Sequence, residues 1–315
     1  MKVSSRQLRG GVFALLTAAV LSIAAPEAFA QTYLHGQHVE PAYEGWRENE
    51  DGTFSFMFGY MNENWEEEVD VPVGENNFFS PGEADRGQPT HFLPRRNRFT
   101  YEVVVPSDWG DRELVWTLTS NGVTRRAYAT LATDYSVDNM VIASETGSLG
   151  AGTSSPESRA NVPPVAQVLG DTVAGEHIRN VRVGEPLLIR TQVTDDGLPE
   201  ASTGHGRTEE GLQRRMQVPP TRVTVGKING LYLSWNVYRG EGKVSFDPPQ
   251  VKPWEDTRTS ANSPWGWLWT PPPVPDDGIY ETTVMFDEPG TYVLWGRADD
   301  GGLYDDQWIT VNVSP

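Results

Sequence analysis

Alternating apolar and polar positions predict that most of the chain forms short β-strands. The segment ELVWTLTS is the clearest example, because Leu114, Trp116 and Leu118 share one face of a strand. The dipeptide Asn121-Gly122 follows it and tolerates the positive backbone angles of a type I′ turn. The pattern therefore predicts a β-hairpin, with Trp116 on its buried face.

The same alternation returns in the second half of the chain. In LYLSWNVYRG, Trp235 shares a face with Leu233 and Val237. In the closing segment TYVLWGRADD, the small residues Gly296 and Ala298 point inward and leave space in the core. We expect Trp235, from the facing sheet, to fill that space.

The two strand-rich halves are separated by a segment of small and polar residues, ASETGSLGAGTSSPESRANVPP. It predicts a linker over 141–163, between an N-terminal domain at 31–140 and a C-terminal domain at 164–315. The first 30 residues combine basic residues, a short apolar run and Ala28-Phe29-Ala30, which is typical of a cleaved secretory signal peptide. The expected fold class is all-β, with two β-sandwich domains and a flexible linker.

Acidic residues dominate the charge of the chain. Asp and Glu number 43 against 25 Lys and Arg, which gives a net charge of -18. The first 30 residues hold three basic residues and one acidic residue, so the exported chain would carry -20. Such a surface repels nucleic acid, which we exclude as a partner. No segment after the signal is apolar enough to predict a transmembrane helix, so we expect a periplasmic or secreted, cell-surface protein.

Three segments of the second half carry a family resemblance: VTDDG, LSWNVYRGEGKVSF and VMFDEPGTYVLWGRADDGGLYDDQWITVNV. Together they resemble the PKD-type immunoglobulin-like domain, in which a strand ending in PGTY is followed by an aspartate-rich turn and a last strand. The resemblance implies an immunoglobulin-like β-sandwich. The first half, with FGYMNENWEEEVDVPVGENNFFSPGEADRGQPTHFLPRR, resembles an uncharacterised β module of exported bacterial proteins.

No motif of a reaction is visible in the sequence. Cysteine is absent, and neither Gly-x-Ser-x-Gly nor His-Glu-x-x-His occurs. We therefore predict no catalytic residues and no cofactor, and expect a non-catalytic binding or scaffolding protein of the bacterial cell envelope, whose partner is an envelope protein or a glycan. Two alternatives stay open: a carbohydrate-binding protein, and an enzyme whose site the sequence does not reveal.

The carbohydrate hypothesis depends on a prolyl loop that contains four tryptophans: Trp254, Trp265, Trp267 and Trp269. Alternation places the last three on one side of an extended segment, where flat rings would stack on sugars. The other interpretation is that the loop folds back and its indoles close the open edge of the sandwich.

Two further groups of residues are candidates for partner contacts. Arg95 and Arg96 reverse the local charge and would bind an anion, unless they pair with neighbouring carboxylates. Trp295 and Trp308 are expected on the outer face of the closing hairpin, with Trp308 opposite Arg297, and would suit a partner or the other domain.

The turns also concentrate carboxylates that are weak calcium candidates: Asp195, Asp299, Asp300 and Asp305. Asp-Asp-Gly is equally the composition of a tight turn, in which Asp accepts from its own backbone and Gly takes a positive φ. We expect weak calcium binding or none.

Overall fold

The fold is taken from a computed structural model that describes residues 33–148, 155–202, 207–218 and 226–315. Residues 34–315 form one compact unit, which contains two β-sandwich lobes. The predicted signal peptide lies outside the described residues. Within the described part, no helix has the length and apolar character needed to cross a membrane.

The N-terminal lobe contains eight strands: β1 (Val39–Glu48), β2 (Phe54–Asn62), β3 (Val69–Asp70), β4 (Asn77–Ser80), β5 (His91–Phe92), β6 (Arg95–Val105), β7 (Leu114–Ser120) and β8 (Val123–Ala129). A 3-10 turn (Thr133–Tyr135) and helices α1 (Asn139–Glu145) and α2 (Pro156–Ala160) follow.

In the described part of the C-terminal lobe, eight further strands follow: β9 (Val165–Val168), β10 (His177–Arg182), β11 (Leu187–Thr194), β12 (Tyr232–Arg239), β13 (Val244–Asp247), β14 (Ile279–Phe286), β15 (Gly290–Asp299) and β16 (Tyr304–Ser314). Helix α3 (Glu209–Arg215) lies between β11 and β12.

The N-terminal lobe packs the sheet β1-β2-β6 against the sheet β4-β7-β8. Trp116 is fully buried between them, stacked on Phe79 with ring centroids 5.8 Å apart and edge-on to Phe58 at 6.0 Å. The predicted hairpin is confirmed, because Ser120 pairs with Val123 and both turn residues have positive φ.

The C-terminal lobe has the strand order of an immunoglobulin-like sandwich. One sheet runs β13-β14-β11-β9, and the other runs β10-β16-β15-β12, with β10 parallel to β16. At the corner before β15, the hydroxyl of Tyr292 donates to the carbonyl of Glu288 at 3.0 Å, which is the tyrosine corner of that fold. The all-β, immunoglobulin-like prediction is confirmed.

Trp235 and Gly296 are in contact, as expected, but through a different arrangement. They are paired residues on β12 and β15 of the same sheet, so the expectation that Trp235 comes from the facing sheet is wrong. A Cβ atom on Gly296 would lie 2.6 Å from Cζ2 of Trp235. Glycine is therefore required where the indole lies flat across the neighbouring strand.

The lobes share a hydrophobic core. The cluster around Trp116 also includes Tyr238, Trp254 and Trp295 of the C-terminal lobe. Strands β12 and β15 therefore bury both of their faces, one within their own sandwich and the other against the N-terminal lobe.

Helix α1 extends into the predicted linker, and its residues Ile142 and Ala143 are buried against Phe99 and Leu303. The side chain of Asp138 caps this helix by accepting from the Val141 N–H at 2.8 Å. Residues 149–154 of the linker lie outside the described part, and flexibility of 141–163 stays a prediction.

Candidate ligand-binding cleft between the lobes

A cleft of about 590 Å³ opens between the two lobes. Strand β6 supplies Phe99 and Tyr101, and strands β12 and β16 supply Tyr238 and Trp308. Because both lobes and α1 contribute walls, the cleft exists only when the lobes are packed together. Its volume lies within the roughly 300–1,000 Å³ typical of ligand pockets.

Arg297 lies behind one wall of this cleft and bonds to Asp306, which lines it. Its Nε and Nη2 atoms donate to the two carboxylate oxygens of Asp306 at 2.8 and 2.7 Å. The same guanidinium donates to the carbonyls of Arg98 and Phe99 in the other lobe, at 3.2 and 2.6 Å. Although burial lowers it, Asp306 holds the pKa of Arg297 above its ordinary value. Burial also raises the pKa of Asp306, and the contact with Arg297 opposes that rise.

A β-bulge in β6 makes the contact with Arg297 possible. Phe58 pairs with Tyr101 but Tyr60 pairs with Asn97, so three residues of β6 lie opposite one of β2. Phe99, within the bulge, has φ of 51°. The bulge interrupts the ladder, and the carbonyls of Arg98 and Phe99 accept from Arg297 of the other lobe instead.

The other charges of the cleft are also held in pairs. Arg47 Nη2 lies 2.7 Å from Glu102 Oε1. Arg239 contacts the two oxygens of Asp85 at 2.7 and 3.0 Å, and this hydrogen bonding lowers the pKa of Asp85. Most charges of the cleft are therefore paired, and the exception is Asp305, which lines the cleft and forms no salt bridge with the described residues.

Aromatic side chains supply much of the remaining lining. The hydroxyl of Tyr101 is buried, burial raises its pKa, and it hydrogen-bonds to none of the described residues. Trp308 is 42 % exposed and stands edge-on to Tyr238, with ring centroids 6.5 Å apart. The cleft thus combines one open indole face with a buried hydroxyl that lacks a protein partner among the described residues.

The four tryptophans of the prolyl loop do not form a stacking surface. Trp254, Trp265 and Trp269 are buried, and the segment follows a series of turns, so the expected extended row of indoles is wrong. Trp267 is half-buried and donates its indole N–H to the Thr208 carbonyl at 3.0 Å. The loop has folded back onto the lobes, as the second interpretation expected.

The tryptophan pair of the closing hairpin is divided between interior and surface. Trp295 is buried in the shared core, and Trp308 is its direct partner across the strands. The expectation that Trp308 lies opposite Arg297 is wrong, because Asp306 occupies that position. The outer face of the hairpin thus contacts the other lobe through Trp295 and reaches solvent at Trp308.

The two candidate arginines are both engaged within the protein. Arg96 Nη2 lies 2.7 Å from the buried carboxylate of Glu44. Arg95 stacks on the Trp65 ring at 4.4 Å and donates to the Glu63 carbonyl at 2.9 Å.

The candidate calcium ligands have partners within the protein. Lys227 Nζ lies 2.6 Å from both oxygens of Asp299, and the pair is buried. Asp300 and Asp195 accept backbone N–H groups within their own turns, as residues that stabilise turns do, whereas Asp305 accepts the N–H of Ala166 on β9. Among the described residues, no three His, Cys, Asp or Glu side chains are grouped to hold a metal ion.

Sequence reasoning missed Tyr101, Tyr238 and Arg239. A usable signal was present in LYLSWNVYRG, where the face opposite Trp235 carries Tyr232 and Tyr238 rather than only polar residues. Aromatic residues on both faces indicate a strand that is covered twice.

Known proteins show at most a distant similarity to the chain. No known protein family matches the chain, and no curated protein does. A nucleoside hydrolase-related hypothetical protein from Saccharophagus degradans aligns at 14% identity over 49% of this chain and 26% of its own, with a TM-score of 0.25.

Two other solved structures align over more of the chain. A chimeric titin Z1Z2 shows 9% identity over 89% of this chain and 98% of its own, with a TM-score of 0.23. Domains 4 and 5 of the S-layer protein SbsC show 10% identity over 88% and 98%, with a TM-score of 0.20. TM-scores this low do not establish a common fold. The immunoglobulin-like class is therefore based on the strand order and the tyrosine corner.

Proposed function

We propose that this chain is a non-catalytic, exported binding protein of the bacterial cell envelope, and that the cleft between its lobes is its binding site. The single observation that carries the proposal is the shared core with its Arg297–Asp306 pair, which joins the two walls of the cleft into one unit. Rigid walls reduce the ordering cost of binding, which favours recognition of a partner.

The chemistry of the cleft supports binding rather than proton transfer. Each charged pair described above is closed by a short contact, so none of these groups is poised as an isolated acid or base. An enzyme with an unrecognised site is the alternative.

The finer assignments belong to the same proposal. Membership of the PKD type is supported by the PGTY corner and the Asp-rich turn before the last strand, and export is supported by residues 1–30. Location in the periplasm or at the cell surface follows from export. Within such an envelope, the acidic surface would discourage adsorption to anionic polymers and favour the cleft as the contact.

Capture on an envelope extract and a glycan array would test the proposal. We expect immobilised chain to retain a defined component, and soluble chain to compete for it. Trp308→Ser should weaken retention at least tenfold, whereas Trp267→Ser, a matched control outside the cleft, should not. Retention unaffected by Trp308→Ser, or a turnover of any retained component, would refute the proposal.

A further inference from the structure

Three properties of the cleft define the chemistry of its occupant: paired charges, an exposed indole and a buried hydroxyl. Arg47 and Arg239 line the cleft and are each held by a carboxylate at 2.7 Å, and the lining residue Asp306 is held by Arg297 at the same distance. A phosphate or carboxylate ligand would have to compete with these bonded partners. An uncharged ligand has no such competition, and it still gains from charge-assisted hydrogen bonds at the remaining N–H groups and oxygens.

The exposed indole selects for a ligand with a flat C–H face. Trp308 is 42 % exposed on an inner strand of its sheet, and Tyr238 holds it edge-on. The negative face of an aromatic ring attracts C–H groups, and pyranose rings present a face of axial C–H bonds. An indole at the mouth of a polar cleft therefore suits a sugar ring better than a purely polar solute.

The hydroxyl of Tyr101 supplies a second, independent indication. Tyr101 lines the cleft, is 5 % exposed and hydrogen-bonds to none of the described residues through its hydroxyl. A buried polar group without a partner destabilises the protein, and a ligand hydroxyl bonded to it would recover part of that cost. Asp305 also lines the cleft, and among the described residues it accepts one hydrogen bond, from the Ala166 N–H to Oδ2 at 2.8 Å.

A peptide fits this surface less well. Peptides often bind by adding a strand to a free sheet edge. Beside the cleft, the carbonyls of Arg98 and Phe99 on edge strand β6 already accept from Arg297. The carbonyls of Gln88 and Tyr238 are likewise bonded across the lobes, to Arg239 and to the Thr90 N–H.

On these grounds we propose that the cleft between the lobes binds an uncharged oligosaccharide, with one sugar ring stacked on Trp308 and a sugar hydroxyl bonded to the Tyr101 hydroxyl. This proposal rests on the proposed binding function and names its ligand class. It also moves the carbohydrate hypothesis from the prolyl loop to the cleft.

Titration of the purified full chain would test the proposal. The probes are the neutral sugars cellohexaose, laminarihexaose, mannohexaose and maltohexaose, and oligogalacturonate is the charged comparison. Binding is measured by calorimetry and by tryptophan fluorescence. We expect saturable binding of at least one neutral hexasaccharide and none of oligogalacturonate. Trp308→Ala should weaken that binding at least tenfold, and Tyr101→Phe about three- to tenfold.

Two variants separate binding from folding. Tyr101→Phe removes only an unpartnered hydroxyl, so its urea midpoint should equal or exceed that of the wild type. Trp267→Ala changes a half-buried indole outside the cleft and should leave affinity unchanged. If Trp267→Ala abolishes sugar binding while Trp308→Ala does not, the sugar binds at the prolyl loop and the proposal is wrong.

The result of envelope capture decides which inference fails. If a protein or peptide is captured in a Trp308-dependent manner but no neutral sugar binds, the saccharide proposal is overturned and the binding function stands. If neither capture nor titration gives Trp308-dependent binding, both are overturned. Oligogalacturonate binding that requires Trp308 would also overturn the proposal, since it would show that the charge pairs open for an anion.

Discussion

Replacing Gly296 by alanine should destabilise the protein far more than one methyl group normally does. The added Cβ would lie 2.6 to 2.7 Å from three atoms of the Trp235 indole, well inside van der Waals contact. Trp235 is fully buried, so the ring has little room to withdraw. Adding a methyl group to such a packed core costs about 1–3 kcal/mol, and we expect a loss of that size in the free energy of unfolding.

Gly290→Ala is the matched control for this substitution. Gly290 lies on the same strand, is exposed, and its Cβ would lie 3.5 Å from the nearest heavy atom, on the ring of Tyr292. The control should change stability by less than about 0.5 kcal/mol. Urea unfolding at pH 7, followed by far-UV circular dichroism and tryptophan fluorescence, measures both variants.

A double-mutant cycle with Trp235→Phe tests the proposed cause. The atoms that clash belong to the six-membered ring of the indole, which phenylalanine cannot place at the same position. The two substitutions should therefore cost less together than the sum of their separate costs, by about 1 kcal/mol or more. Equal stability of Gly296→Ala and Gly290→Ala, or strict additivity in the cycle, would refute the packing argument.

Three further predictions concern buried charges, each measured by urea unfolding. Burial raises the pKa of Asp300 to about 7, so the free energy of unfolding should fall as the pH rises from about 4 to 7. The variant Asp300→Asn should therefore be more stable than the wild type by roughly 2–4 kcal/mol at pH 8 and by little at pH 4. Burial lowers the pKa of His91, but hydrogen bonds to two carboxylates raise it overall to about 9. The free energy of unfolding should therefore fall between about pH 6.5 and 9, and His91→Gln should reduce that fall by roughly 1–3 kcal/mol. Arg297→Met leaves Asp306 without its cation and should cost about 3–5 kcal/mol, part of which Asp306→Asn restores.

Each of these predictions has an opposing result. If the difference in stability between the wild type and Asp300→Asn stays constant from pH 4 to 8, the Asp300 carboxyl is ionised throughout that range. A His91→Gln variant with the same pH dependence as the wild type would assign that dependence to other groups. If Asp306→Asn restores none of the stability lost in Arg297→Met, the lost contacts with the carbonyls, not the unpaired charge of Asp306, dominate that loss.

Local patterns were sufficient for the strands and for much of each lobe's own core. Trp116 and Trp235 lie inside, as alternation predicts, because a strand half-covered by its own sandwich must alternate apolar and polar residues. Asn121-Gly122 predicts its hairpin because the positive φ values are a property of two adjacent residues. The tyrosine corner joins Tyr292 to Glu288, only four residues away.

The cleft could not be predicted in the same way, because its residues meet only after the lobes pack. Arg297 reaches Phe99, a residue 198 positions away in the sequence. Trp295 was expected on an outer face, and residues of the other lobe cover that face. The periodicity of a single strand contains no information about such contacts. The sequence by itself determined which segments become strands and which indoles enter each sandwich; the tertiary structure alone decided which second faces are buried and where an indole and a hydroxyl are left for a ligand, since those outcomes depend on contacts between distant segments.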